Sequence, residues 1–192
     1  ESERANFLSK RAIYYATMMD LTKAIYVANK IWYIDTRLNT FAQIATVVSK
    51  DSAKSIAQNI VRQLLTELEK NRDSDLVIDL LPYLTHALVA SEIPGDVQIL
   101  SSNILAISDP QKQLTGLQSL MFNYISLGLI SKALSLVPKA FQVLNNLEKE
   151  RDRQFGYAYM VKVLALAGDH DAAREILEKQ DLDIANGRNS AN

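Results

Sequence analysis

Between its few breakers this chain is periodic at helical spacing almost everywhere. Leu8, Ala12, Tyr15 and Met19 recur at intervals of four and three, which puts them on one face of a helix. Ile56, Ile60, Leu64 and Leu68 repeat the pattern, and Lys54, Gln58 and Arg62 mark an opposite, wet face. Alternation with a period of two, the mark of a half-buried strand, is sustained nowhere. Only six glycines and four prolines punctuate the 192 residues, and most stand between the periodic stretches. Such a chain has one broad option, an all-α fold.

Helix starts are signalled by aspartate. Asp20, Asp35, Asp51, Asp73, Asp109 and Asp169 each precede an amphipathic run, where a short carboxylate can accept the amide hydrogens of the first turn. Pro110 follows Asp109 at the first helical position, where no amide donor is missed. These signals predict ten helices, over residues 3–18, 20–31, 35–48, 51–70, 74–91, 95–107, 110–127, 129–145, 149–167 and 169–179. Short connections make neighbours antiparallel, so ten helices make five hairpins. Pro82 and Pro138 fall inside predicted helices, and each predicts a kink or a break. Residues 1–180 are expected to form a single helical-repeat domain. Residues 181–192 are polar and lack periodicity, and are expected to be a frayed tail.

Two hairpins repeat each other. Gly128 and Ala133 align with Gly168 and Ala173 at a shift of 168 − 128 = 40 residues. Glycine ends the first helix without a Cβ penalty, and alanine lets the second helix come close to the first. Here the chain resembles the tetratricopeptide repeat family. Leu117, Leu120, Tyr124 and Ala140 stand at that family's packing places in the fourth hairpin. Tyr157, Met160 and Leu164 do so in the fifth, and Leu8, Ala12, Tyr15, Ala24 and Ala28 in the first. The second and third hairpins lack the glycine; their turns hold Ser49-Lys50-Asp51 and Ile93-Pro94-Gly95-Asp96. The resemblance implies a right-handed α-solenoid of about five antiparallel helix hairpins. A compact helical bundle would use the same small residues and stays open as the alternative.

Composition removes several kinds of chemistry. There is no cysteine, hence no disulfide, thiolate zinc site or cysteine nucleophile. His86 and His170 are the only histidines and have no helical partner histidine; His170, between Asp169 and Asp171, lies at a helix start where the carboxylates read as caps. A calcium loop opening at Asp169 would need glycine where Arg174 stands and glutamate where Gln180 stands. The scattered glycines form no phosphate loop or nucleophile elbow. No enzyme and no cofactor is expected. Net charge is −1, with carboxylates on every hairpin, so a basic track for RNA is not expected either. Residues 1–72 carry 11 basic and 7 acidic groups, and residues 73–150 carry 4 and 8. Solvated helix faces account for such an imbalance, with a charged docking surface as the sharper reading. No apolar run approaches the roughly 18 residues of a membrane span, so membrane insertion is not expected. Lack of cysteine suits cytosol or periplasm and leaves the compartment open.

A surface for a protein partner is what remains. In stacked hairpins of the family resembled, first helices line the concave side. Carried over, that side would present Asn6, Ser9 and Ile13, then Thr36, Asn39 and Gln43. From the fourth and fifth hairpins it would present Gln118, Phe122 and Ile125, then Phe155 and Lys162. Asn and Gln amides both donate and accept, which suits the backbone of an extended peptide. The early aromatics Tyr14, Tyr15, Tyr26, Trp32, Tyr33 and Phe41 are expected mainly in the core. One member of each adjacent pair, Tyr14-Tyr15 and Trp32-Tyr33, must nevertheless face outward. A chain starting at Glu1 without Met, and ending on a polar stretch, also suits a structural segment of a larger repeat protein with no groove ligand of its own.

Overall fold

The computed structural model describes residues 2–49, 54–70 and 75–189, with side chains as far as Lys179. These residues are all-α, with no strand among them. The helices are α1 (Ser2–Thr17), α2 (Leu21–Ala28), α3 (Ile34–Val48), α4 (Lys54–Lys70), α5 (Leu76–Ala90) and α6 (Asp96–Leu105). They continue with α7 (Pro110–Ser126), α8 (Ile130–Leu134), α9 (Val137–Asn145), α10 (Glu150–Leu166) and α11 (His170–Asn189). The chain divides into two compact units, residues 1–107 and 108–192.

Helix boundaries follow the capping chemistry with instructive exceptions. Asp20 accepts from the Lys23 amide (3.2 Å), Asp109 from the Gln111 amide (2.8 Å) and Asp169 from the Ala172 amide (3.2 Å). Asp35 does not cap: α3 begins at Ile34, so its carboxylate lies inside the first turn, where it still favours the positive end of the helix. Asp51 and Asp73, and the turn Lys50–Ala53, fall outside the described residues. Pro138 marks a real break, because the predicted 129–145 helix divides at Ser135–Leu136 and Pro138 sits in the first turn of α9, where its ring does no harm. Pro82 does not break α5, which runs through it from Leu76 to Ala90. Val77, Leu80, Leu81 and Leu84 are buried on both sides of the proline, and this burial outweighs one lost backbone bond. The last helix continues to Asn189, ten residues beyond its expected end at 179, so the tail expected to fray over 181–192 is helical as far as 189, and 190–192 lie outside the described residues.

Unit 1 packs its helices in a regular order. α1 packs on α2, α3 on α4 and α5 on α6, and α1, α3 and α5 contact one another in succession. Two of the second helices also meet the following first helix, α2 on α3 and α4 on α5. Unit 2 repeats this: α7 packs on α8 and α9, α10 packs on α7 and α9, and α11 packs on α10. Between α1 and α2 the buried side chains are Ala5, Ala12 and Ala16 against Ala24, Val27 and Ala28. The buried places of these two helices are nearly all alanine, and Tyr14 of α1 and Tyr26 of α2 are not among them. Tyr14, Tyr26, Trp32 and Tyr33 are exposed, and Tyr15 and Phe41 are half-buried.

Four first helices end in one and the same turn. Gly128 (φ 72°) donates its amide to Ile125, and the next amide, of Leu129, reaches back to the Tyr124 carbonyl (2.8 Å). Gly168 (φ 84°) repeats this with Asp169 to Leu164 (2.9 Å). Met19 (φ 58°) does so with Asp20 to Tyr15 (2.9 Å), and Glu92 (φ 50°) with Ile93 to Leu88 (3.2 Å). These are Schellman turns, two of them closed by a residue with a Cβ. Five places after Met19, Gly128 and Gly168 stand the buried alanines Ala24, Ala133 and Ala173.

A longer repeat becomes visible with the coordinates. α2 and α3 start at 21 and 34, and α9 and α10 start at 137 and 150, so 137 − 21 and 150 − 34 are both 116. The same shift carries the buried Ala24, Val27, Ile31 and Ile44 onto the buried Ala140, Val143, Leu147 and Met160. It also carries buried Ala57 of α4 onto Ala173 of α11. Even the loops agree: Ile31 donates to Ala28 and Arg37 to Tyr33, as Leu147 does to Leu144 and Arg153 to Lys149.

Candidate functional site

All six groove residues expected in the first half come together in unit 1. Asn6, Ser9 and Ile13 of α1 and Thr36, Asn39 and Gln43 of α3 line one cleft of about 420 Å³, closed on its far side by Leu76, Asp79 and Leu80 of α5. Helical spacing explains the set, since 6, 9 and 13 share a face of α1, as 36, 39 and 43 share a face of α3. Ile13 and Gln43 continue into a second hollow of about 360 Å³ walled by Val47, Pro82, Tyr83 and His86. The first part of the cleft is polar, with Lys10, Asp35 and Asp79 at its rim; the second is more apolar.

The polar side chains in this cleft have different obligations. Thr40 and Ser9 hydroxyls are hydrogen bonded at 2.7 Å, linking α3 to α1, and Thr40 also donates to the Thr36 carbonyl (2.6 Å). A hydroxyl has one proton, so the Thr40 oxygen accepts from Ser9 when it donates to Thr36. Ser9 is thereby committed to the fold. Gln43 Nε2 donates to Asn39 Oδ1 (2.7 Å), which fixes both amides while leaving Asn39 Nδ2 and Gln43 Oε1 directed elsewhere.

In unit 2 the expected residues form a different kind of surface. Phe122 of α7 meets Tyr159 of α10 edge to face, with centroids 5.1 Å apart, and the Lys162 ammonium lies 5.2 Å from the Phe122 centroid. Gln118 is buried, and its Nε2 has no hydrogen-bond partner among the described residues. Ile125 is half-buried and Phe155 is exposed with the Arg151 guanidinium over its ring. Tyr159 was missed by sequence reasoning, although 155, 159 and 162 share a helix face. Burial pushes its phenol up to about 12, so it remains a neutral donor.

Two further hollows were also missed, and the shift of 116 residues relates them. One, of about 560 Å³, is lined by Ile25, Asn29, Phe41 and Ile60; the other, of about 570 Å³, by Phe141, Asn145, Tyr157 and Ile176 at the equivalent places. The outer-face residues Lys54 and Gln58 are not simply wet: Lys54 pairs with Glu92, and Gln58 donates to the Ser91 carbonyl (3.1 Å). Among the described residues no group of acidic and histidine side chains is arranged to hold a metal ion. No helix among them is long and apolar enough to cross a membrane. No family model, curated protein or solved structure matches this chain.

Proposed function

We propose that this chain is a protein-interaction scaffold of α-solenoid type, which holds an extended segment of a partner protein across α1, α3 and α5. One observation carries this reading: six side chains, picked from helical spacing and family resemblance, line a single open cleft. The order of helix packing within each unit supports stacking over a closed bundle, because in unit 1 α1, α3 and α5 follow one another while α2 and α4 meet the next first helix, and in unit 2 α7 and α9 both meet α10. The tetratricopeptide-like reading draws further support from the four matching turns.

The cleft's chemistry suits a peptide backbone. With Gln43 and Asn39 holding each other, Asn39 Nδ2 offers a donor and Gln43 Oε1 an acceptor, the complement of one peptide group. Fixing these amides beforehand reduces the entropy lost on binding. The adjoining hollow at Val47, Pro82 and Tyr83 would take an apolar side chain of the same segment. Charge has a supporting part only, so raised salt should weaken the complex slightly.

The test begins with capture of a partner from native lysate and continues with the isolated partner. Asn39→Ala with Gln43→Ala should weaken its binding by about tenfold and keep the melting temperature, since both side chains are only half-buried. Arg62→Glu on exposed α4 surface should leave binding intact. The reverse pattern would move the site away from this cleft.

A further inference from the structure

Unit 1 has another pocket, of about 330 Å³, formed by Arg4, Ala5 and Leu8 of α1 with Lys30, Trp32 and Tyr33 of the α2–α3 loop. It shares no lining residue with the α1–α3–α5 cleft. Trp32 is 91% exposed beside it, the most exposed large apolar side chain among the described residues.

The chain contains its own control for this loop. At the shift of 116, Lys30-Ile31-Trp32-Tyr33 becomes Asn146-Leu147-Glu148-Lys149. The backbone is the same in both: Tyr33 (φ −72°, ψ 123°) and Lys149 (φ −82°, ψ 124°) occupy the same place before the next helix. The matching backbone hydrogen bonds from Lys30, Ile31 and Arg37 recur at Asn146, Leu147 and Arg153. Ile31 and Leu147 are both buried and anchor their loops. The turn therefore forms with exposed Glu148 and Lys149 where the first loop has two aromatics, and folding does not ask for Trp32 or Tyr33. A large exposed aromatic that the fold does not need points to an interaction surface.

Charge says what fits there. The pocket lining holds two cations, Arg4 and Lys30, and no carboxylate. Neither cation has a carboxylate partner among the described residues; Lys30 lies over the Tyr26 ring at 5.0 Å, which steadies its ammonium near the pocket. We propose that this pocket binds an acidic segment of a partner protein, a carboxylate lodging between Arg4 and Lys30 while a neighbouring apolar side chain packs on Trp32. The hollow is concave and small, which suits individual side chains over the flat face of a bilayer. Two cations are too few for the phosphate track of a nucleic acid.

Trp32 is the only tryptophan, so its emission reports the pocket directly. The probe is a short synthetic peptide alternating Glu and Leu, compared with its Gln–Leu counterpart and with phosphatidylcholine–phosphatidylserine vesicles. The Glu–Leu peptide should shift the emission to the blue in a saturable way, and the Gln–Leu peptide should bind at least about fivefold more weakly. Arg4→Gln with Lys30→Gln should abolish that difference, whereas Asn39→Ala with Gln43→Ala should leave it unchanged. Trp32→Glu, which copies the second loop, should keep the helix content and lose binding of a fluorescently labelled Glu–Leu peptide. No saturable shift, equal response to both peptides, response to vesicles only, or an unfolded Trp32→Glu variant would each overturn the proposal.

Discussion

Leu144 of α9 fills the space that a side-chain carbon on Gly156 of α10 would need, and Leu114 of α7 closes the same space from another side. At the equivalent positions of the first copy stand Ala28 and Thr40, both buried, so the large and small partners have changed helices. Exchange of bulk between facing positions keeps a close-packed interior filled.

Gly156→Ala should accordingly destabilise unit 2 by about 1–3 kcal/mol through overpacking. Leu144→Ala should cost about 2–5 kcal/mol through the cavity it leaves. Combined, the two should cost clearly less than their sum, because the added methyl enters the vacated space. Chemical denaturation of the three variants measures this, and strict additivity would show that the two residues do not share the space.

The four Schellman turns make a second prediction. A residue with a Cβ in left-handed conformation is strained by about 1 kcal/mol, which glycine avoids. Met19→Gly should therefore stabilise the chain by about 0.5–1 kcal/mol, and Gly128→Ala should destabilise it by about 1 kcal/mol. Glu92→Gly is the less clean test, since Glu92 also pairs with Lys54. Melting curves of Met19→Gly and Gly128→Ala decide it, and shifts of the same sign would contradict the strain argument.

These turns also show how much of the fold was legible. Helical periodicity and aspartate caps located nearly every helix, because both act within one or two turns of the chain. The repeat turn was legible at Gly128 and Gly168 only. At Met19 and Glu92 the backbone adopts the same shape against local preference, since the surrounding hydrogen bonds outweigh one residue's strain. The 116-residue repeat was hidden for another reason: Ile44 and Met160 fill similar volumes yet are unlike as letters, and the pair Ala28 and Thr40 becomes Leu144 and Gly156 with the bulk moved to the other helix. The six cleft residues of unit 1 were reachable only through the family resemblance, which says which helix face would line the concave side, whereas Tyr159 and the Arg4–Trp32 pocket depend on contacts between elements. Tyr14 and Tyr26 were misread because alanine takes nearly all the buried places where α1 meets α2, a property of the pair of helices and not of either one.

Titration gives a third prediction. Burial raises the Tyr159 phenol to about 12, while in the unfolded chain it ionises near its ordinary 10.0. Between these values the unfolded state has lost a proton that the folded state keeps, so stability falls as pH rises through that window. Below 10.0 Tyr159 imposes no pH dependence. Phenolate absorbance should show a late-titrating component that shrinks in Tyr159→Phe, and a titration curve that the substitution leaves unchanged would contradict its burial.

At acid pH the sign is opposite for Asp20. The Lys23 ammonium (2.6 Å) and then the Lys23 amide hold its carboxyl below the ordinary 3.8. A depressed carboxylate contributes stability that is present above 3.8 and is lost as pH falls through the folded value. Asp20→Asn keeps a capping oxygen at α2 without a titrating group, so its helix signal should depend less on pH below 3.8. Identical acid transitions in the two proteins would show that the cap does not act through its charge.

The last prediction separates folding from binding within one cleft. Ser9 and Asn39 line the same hollow, yet Ser9 is spent on Thr40 across the α1–α3 contact, while the Asn39 amide keeps donors directed elsewhere. Ser9→Ala removes one hydrogen bond between helices and leaves Thr40 its bond to the Thr36 carbonyl, so about 0.5–1.5 kcal/mol of stability should go. Thr40→Val removes the hydroxyl from a buried position and should cost a similar amount, because Ser9 can turn toward solvent. Neither change alters the groups offered to a peptide. Asn39→Ala should show the converse, with a small change in melting temperature and weaker capture of the partner. Measuring both quantities for all three variants is the check. If Ser9→Ala weakens binding as much as Asn39→Ala at equal stability, the serine faces the ligand and the division of roles is wrong. If Asn39→Ala lowers only stability, the Asn39–Gln43 pair is a strut between turns of α3, and the peptide's backbone must find its partners elsewhere in the cleft.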